Sequence, residues 1–286
     1  MPTHSPLLSQ AQREQFERDG LLVVPGFYDA RTDIEPVQRA IHDVIGQVMA
    51  RHDVADERPP VESAQFDAGY QSLIARNRAW GGEVYDAIKQ MPAFVRLVAH
   101  PAHEQLMREL RPGSVPGIAG GGYGIRIDNP DEDRFRAQWH QEYPAQLRSL
   151  DGLVFWSPLV PVDEALGPVQ FCPGSHREGP LPVHSGAEAG RSGAYALTLA
   201  NEDTLLARYP RIAPLCGPTD LVIVDFLVLH ASGHNRGQRS RWSMQFRYFN
   251  FAEPTGRAHG WTGSFAAGQD FRAIHPELCA DAYPNL

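Results

Sequence analysis

Apolar residues recur at helical spacing along the first third of the chain and in strand-like runs along the rest, and this change of period organises the sequence. Ser9-Gln10-Ala11-Gln12 has the form of a capping box, so the segment through Phe16 to Asp19 reads as a short helix ended by Gly20. Leu21-Leu22-Val23-Val24 then reads as a buried strand. From Asp33 to Arg51, Ile34, Val37, Ile41, Val44, Ile45 and Val48 fall on one helical face. Residues 52–80 are polar and irregular. Val84, Tyr85, Ile88 and Met91, then Leu97, Val98, Leu106 and Leu110, predict further helices broken at Pro92 and Pro101.

Beyond Pro112 the texture becomes glycine-punctuated strands, predicted over 122–127, 138–143, 152–160, 168–172, 220–229 and 241–251. Helices first and strands later predict an α+β, mainly β architecture with helices covering one face of a β-sandwich. The last strand is two-faced: Arg241, Ser243, Gln245 and Arg247 alternate with Trp242, Met244, Phe246 and Tyr248. Its polar set reads as a solvated face or as a polar interior whose apolar back packs on the helices. The available helices favour the interior.

Composition narrows the function classes. A formal net charge of -8 and the lack of any basic stripe argue against nucleic acid as partner. Cys172, Cys216 and Cys279 lie far apart with no Cys-x-x-Cys pair, a usage that fits a reducing compartment. No apolar core of a secretory signal follows Met1, and no run is long enough to span a bilayer, so the expectation is a cytoplasmic protein without a membrane partner. The 286 residues read as one domain: a mainly helical part over 1–112, a core over 113–256 and a C-terminal extension over 257–286. Residues 177–214 read as a surface connection or a lid, and their length favours a lid.

The chemistry concentrates in Gln138-Trp139-His140-Gln141-Glu142-Tyr143-Pro144. On a strand, His140 and Glu142 would share one face about 7 Å apart, close enough to hold one ion. The apolar run Leu221 to Leu229 delivers His230, which directly ends it, whereas His234 follows a glycine in a loop. Two imidazoles and a carboxylate form a facial set with open positions, suited to Fe(II) oxygen chemistry. A His-x-Glu triplet alone also arises on solvated strand faces.

With these residues in place the chain resembles the phytanoyl-CoA dioxygenase family of Fe(II)- and 2-oxoglutarate-dependent oxygenases. Gln15 through Phe27 is similar to the family's opening helix and strand. Trp139-His140-Gln141-Glu142 resembles its Trp-His-Gln-Asp segment, Gly167-Pro168 and Pro173-Gly174-Ser175-His176 its turns, and His230-Ala231-Ser232-Gly233 through Arg241 its distal histidine and cosubstrate arginine. The departure is Glu142, where the family usually has aspartate.

The resemblance implies a double-stranded β-helix, the cupin-like jelly roll, with N-terminal helices packed on its larger sheet. It implies Fe(II) on His140, Glu142 and His230, with 2-oxoglutarate and O2 as cosubstrates. Arg241 would bind the far carboxylate, with Arg239 as the alternative and Arg236 on a solvated loop. Ser232, Tyr123, Gln141 and Trp156 would line the cosubstrate pocket, although the parity of Gln141 points it away from the metal face. His176 reads as structural. Arg126, Arg148 and Arg247 are candidates to hold an acidic group of the substrate, expected to be a small polar metabolite hydroxylated at an unactivated C–H bond. A non-catalytic jelly-roll binding protein and a non-redox metal enzyme of cupin type are the alternatives from other classes.

Overall fold

The computed structural model describes residues 5–184, 197–263 and 271–280. Ser9 caps helix α1 (Gln10–Asp19) with the reciprocal Ser9 and Gln12 bonds of a capping box. Gly20 ends it at φ 65° and leads into strand β1 (Leu21–Val24). A Cβ at Gly20 would stand 2.6 Å from both His176 Nδ1 and a Val228 methyl, so turn and packing both require glycine. Helix α2 (Glu35–Arg51) buries the face read from the sequence. Helices α3 (Tyr70–Arg76), α4 (Arg78–Ile88), α5 (Pro92–Val98) and α6 (Pro101–Leu110) follow. Pro92 and Pro101 open α5 and α6, where a missing N–H costs nothing.

Strands β2 (Pro116–Ile118) and β3 (Gly124–Asp128) precede a short helix α7 (Tyr143–Gln146). Then come β4 (Gly152–Pro158), β5 (Val169–Phe171), β6 (Val183–His184), β7 (Thr198–Leu199) and helix α8 (Glu202–Leu206). Strands β8 (Leu221–Asp225), β9 (His230–Ser232) and β10 (Arg241–Asn250) and helices α9 (Pro254–Ala258) and α10 (Phe271–Ile274) complete the described chain.

The larger sheet runs β1-β8-β4-β10-β2, and β3 pairs with the other end of β10. All its pairings are antiparallel. Opposite it, β5 pairs with β9, extended by single bridges from His140 to His230 and from Phe171 to Ile212. This is the expected jelly roll with helices on the larger sheet. One apolar cluster joins α2, α4, α5 and α6 to that sheet's back, where Phe94 and Phe246 stack with centroids 5.6 Å apart. A second fills the space between the sheets around Val154, Phe171, Val222 and Phe226.

Two predicted strands differ in the structure. The 138–143 strand reduces to the single bridge at His140, after which the chain turns into α7, whose first turn accommodates Pro144. The 220–229 run is interrupted at Asp225, whose side chain accepts from Leu227 N (2.8 Å) and pairs with Arg111, forming a turn that carries the chain from one sheet to the other. The centre of the predicted lid, 185–196, and residues 264–270 and 281–286 of the predicted extension lie outside the described residues. None of the described helices is long and apolar enough to cross a membrane.

His103 of α6 is fully buried, bonded to the Tyr28 hydroxyl at 2.7 Å and stacked on Phe155. Burial, then the nearby His100, lowers its pKa to about 3. An unfolded histidine titrates near 6.5, so between these values the unfolded chain takes up a proton that the native state refuses. Stability contributed by His103 is therefore complete above pH 6.5 and falls by about 1.4 kcal/mol per unit as pH drops toward 3. His103→Gln is expected to flatten that part of the slope, measured by urea unfolding of both proteins between pH 4 and 7.

Candidate metal centre

His140 and His230 face each other across the smaller sheet and exchange both backbone bonds, His140 N to His230 O (3.0 Å) and His230 N to His140 O (3.1 Å). This pairing brings the two imidazoles to a centroid separation of 4.2 Å. Each ring directs Nδ1 to a carbonyl two residues back, that of Gln138 (2.7 Å) and of Val228 (2.9 Å). A proton held there leaves both Nε2 lone pairs for an ion. Burial lowers both imidazole pKa values, His230 to about 3, so the rings are neutral donors at neutral pH.

Glu142 reaches the same point by another route. Its backbone N–H bonds Phe226 O (2.8 Å) as the chain enters α7, and its Oε2 lies 3.8 Å from His230 Nε2. Donor atoms of His140, Glu142 and His230 all lie within 4.8 Å of one another. Two neutral imidazoles, one carboxylate and an open side match a facial site for a d-block metal such as iron. Strand alternation, the expected reason for the closeness of His140 and Glu142, does not operate, since only His140 is in a strand pairing.

Arg247, expected to meet substrate, instead grips the carboxylate: its Nε bonds Glu142 Oε1 at 2.6 Å. Its other nitrogens donate to Gly122 O (2.8 Å) and Gln245 Oε1 (3.1 Å). Burial pushes the Glu142 carboxyl up, but Arg247 and then the imidazoles outweigh it and hold the pKa at about 2.

A cavity of about 530 Å³ opens from the triad. Tyr123, Arg126, Trp156, Ser232, Arg241 and Arg247 line it. Arg241 is fully buried and gives Nη2 to Asp128 Oδ2 (2.8 Å) and Ser232 Oγ (3.2 Å), while its Nε and Nη1 are buried without a partner among the described residues. A guanidinium of a cavity-lining residue with two nitrogens still to be satisfied suits a carboxylate ligand. Arg126 bonds the same Asp128 (2.8 Å). Burial raises the Asp128 carboxyl, but the two guanidiniums win and its pKa is lowered.

Gln141 does not line this cavity. Its amide donates to Gly179 O (2.9 Å) and Leu227 O (2.8 Å) and accepts from Leu181 N (2.8 Å), tying three backbone segments together. Arg239 pairs with Asp67 (2.7 Å), Arg236 is exposed, and His234 bonds Asp133 and Asp131, all away from the triad. His176 bonds Glu17 O (3.2 Å), and Arg148 bonds Gly120 O (2.7 Å) and Gln146 Oε1 (3.2 Å). Sequence reasoning missed Asp128, although it shares the strand parity of Arg126, and it missed Tyr85 and Lys89, which α4 and the residue after it bring to the cavity.

The family model for phytanoyl-CoA dioxygenase matches residues 16–243. The chain belongs to the phytanoyl-CoA dioxygenase family. Members of this family are 2-oxoglutarate-dependent non-haem iron enzymes, and the His140, Glu142 and His230 donors of this member fit that cofactor. A search of curated proteins finds no significant match. Among solved structures, the epimerase SnoN in complex with Fe3+, alpha ketoglutarate and nogalamycin RO is 18% identical, with 91% of each chain covered and a TM-score of 0.55. EctD from S. alaskensis with 2-oxoglutarate and 5-hydroxyectoine is 19% identical, covering 88% of this chain and 80% of that one at a TM-score of 0.54. The non-heme alpha ketoglutarate dependent carbocyclase SnoK from nogalamycin biosynthesis is 14% identical, covering 91% and 95% at a TM-score of 0.54. At these identities the likeness is one of fold.

Removing Arg247 leaves Glu142 as an uncompensated buried charge. Arg247→Met is expected to destabilise the metal-free protein by about 3–5 kcal/mol. A divalent ion supplies the missing positive charge, so the rise in melting temperature on adding Fe(II) anaerobically should be larger in the variant than in the wild type. Scanning calorimetry of both proteins with and without metal checks this.

Proposed function

We propose that this protein oxidises a small polar metabolite at an unactivated C–H bond, using Fe(II), 2-oxoglutarate and O2, with hydroxylation as the outcome. The observation that carries the reading is Arg241, a lining residue of the cavity that also holds the three donors, with two buried guanidinium nitrogens that have no partner among the described residues. Bound iron and 2-oxoglutarate would supply the oxidising chemistry, with 2-oxoglutarate leaving as succinate and CO2.

The chain's own residues have separate tasks. His140, Glu142 and His230 hold the ion, the two histidines by Nε2. Arg241 takes the far carboxylate of the cosubstrate with Ser232 beside it, and Asp128 orients that guanidinium through Nη2. Tyr123 and Trp156 wall the space and exclude water. Arg247 fixes Glu142 through both oxygens, tightly at Oε1 (2.6 Å from Nε) and more loosely at Oε2 (3.3 Å from Nη2), and Oε2, which also faces His230, would serve the ion.

SnoN and SnoK, an epimerase and a carbocyclase, share the fold with EctD, whose structure holds a hydroxylated molecule. One scaffold thus carries several outcomes, and product analysis by mass has to distinguish addition of oxygen from its absence.

Anaerobic addition of Fe(II) and then 2-oxoglutarate is expected to give a weak visible charge-transfer band, and His140→Ala is expected to lose it while remaining folded. Arg241→Ala should raise the 2-oxoglutarate concentration needed for the band by about a hundredfold. Absence of the band in folded, iron-loaded wild type would favour a binding protein without turnover.

A further inference from the structure

Lys89 is the only lysine among the 26 basic side chains of the sequence, and it lines the candidate active-site cavity. It follows directly on α4, and its ammonium sits 3.8 Å from the centroid of the Tyr85 ring and 3.0 Å from Asp86 Oδ1. Tyr85 is 40% exposed and lines the same cavity, so this pair marks where the cavity meets solvent. A lysine has a flexible four-carbon stem, and fixing it carries an entropic cost. Here the aromatic face and one carboxylate hold it in advance, leaving the other ammonium hydrogens for a ligand.

Charge in the cavity points the same way. Lys89, Arg126, Arg241 and Arg247 line it, and Glu142 is the only acid among the described lining residues. Adding Asp128, which pairs with Arg126 and Arg241, gives four cations against two carboxylates among the described residues. Fe(II) and dianionic 2-oxoglutarate would cancel each other, so among the described residues an excess of two positive charges persists within a chain of net charge -8. Asp86 offsets little of it, being 77% exposed and facing water. Unbalanced charge in a partly desolvated cavity is unfavourable and is relieved by a ligand of opposite sign.

We propose that the substrate bears an anionic group, a carboxylate or a phosphate, which Lys89 receives at the cavity mouth while the rest of the molecule extends toward the triad. The inference rests on the oxygenase reading, because it takes the ion and the cosubstrate to occupy the inner part. The site selects a small acid over a neutral molecule of the same shape. Lys89 is a specificity-determining contact and takes no part in holding the ion.

A lone lysine makes the test direct. Reductive methylation of the 286-residue chain modifies only Lys89 and the α-amino group, and the second serves as internal reference in peptide mass spectrometry. Benzoate, phenyl phosphate and neutral benzamide are the probes, at constant ionic strength, in metal-free protein and in protein with Fe(II) and 2-oxoglutarate under anaerobic conditions. At least one of the two anions is expected to slow Lys89 methylation about tenfold relative to the reference, with no effect of benzamide. The more protective anion identifies the headgroup. In calorimetric titration, Lys89→Gln should lose the anion and Lys89→Arg should retain it. Equal methylation rates with all three probes, or unchanged anion binding by Lys89→Gln, would overturn the proposal. Failure of the charge-transfer band with protection intact would overturn the oxygenase reading and leave the anion site standing.

Discussion

Strand β10 faces two incompatible surroundings, and strict alternation satisfies both. Trp242, Met244, Phe246 and Tyr248 enter the apolar layer beneath the helices, while Arg241, Gln245 and Arg247 enter the cavity. A slip of one residue would drive guanidiniums into the core and an indole into the site, so the register is fixed from both sides. The same strand pairs with β2, β3 and β4, which carries this constraint to Arg126, Asp128 and Trp156. Core and site are two readings of one periodicity.

Buried guanidiniums require acids, and the site meets this with shared carboxylates. Asp128 lies directly opposite Arg241 in the ladder and also takes Arg126. Glu142 takes Arg247 and faces the imidazoles with its second oxygen. Burial raises both carboxyl pKa values, and the guanidiniums bring them below the ordinary range. The result is a donor set in the protonation state that a metal needs before any metal arrives.

Much of this was legible in the sequence because it rests on period and punctuation. The capping box at Ser9, the helical face of α2 and the two faces of β10 appear as read. The closeness of His140, Glu142 and His230 and the place of Arg241 at the same cavity were legible through motif spacing, yet the local reason given for Glu142 was wrong. Pro144 and the backbone bond to Phe226 turn the chain out of extended structure, and a bond formed across so much sequence leaves no local trace. Asp225 likewise stops its strand through its side chain and through Arg111, a partner from the helical third. Arg247 had the right face, but its engagement with Glu142 depends on packing that no one-dimensional pattern carries. Lys89 was hidden because α4 reaches the cavity only after tertiary assembly.

His140 and His230 are held by their mutual backbone bonds and Glu142 by its backbone bond to Phe226, whereas Tyr85 and Lys89 belong to the end of one helix. Nothing in the donor geometry leans on that helix end. Variation can therefore accumulate there, altering which molecules enter, while the oxidising centre stays unchanged. In a lineage of such proteins, a new substrate can be acquired by redrafting one short helical segment.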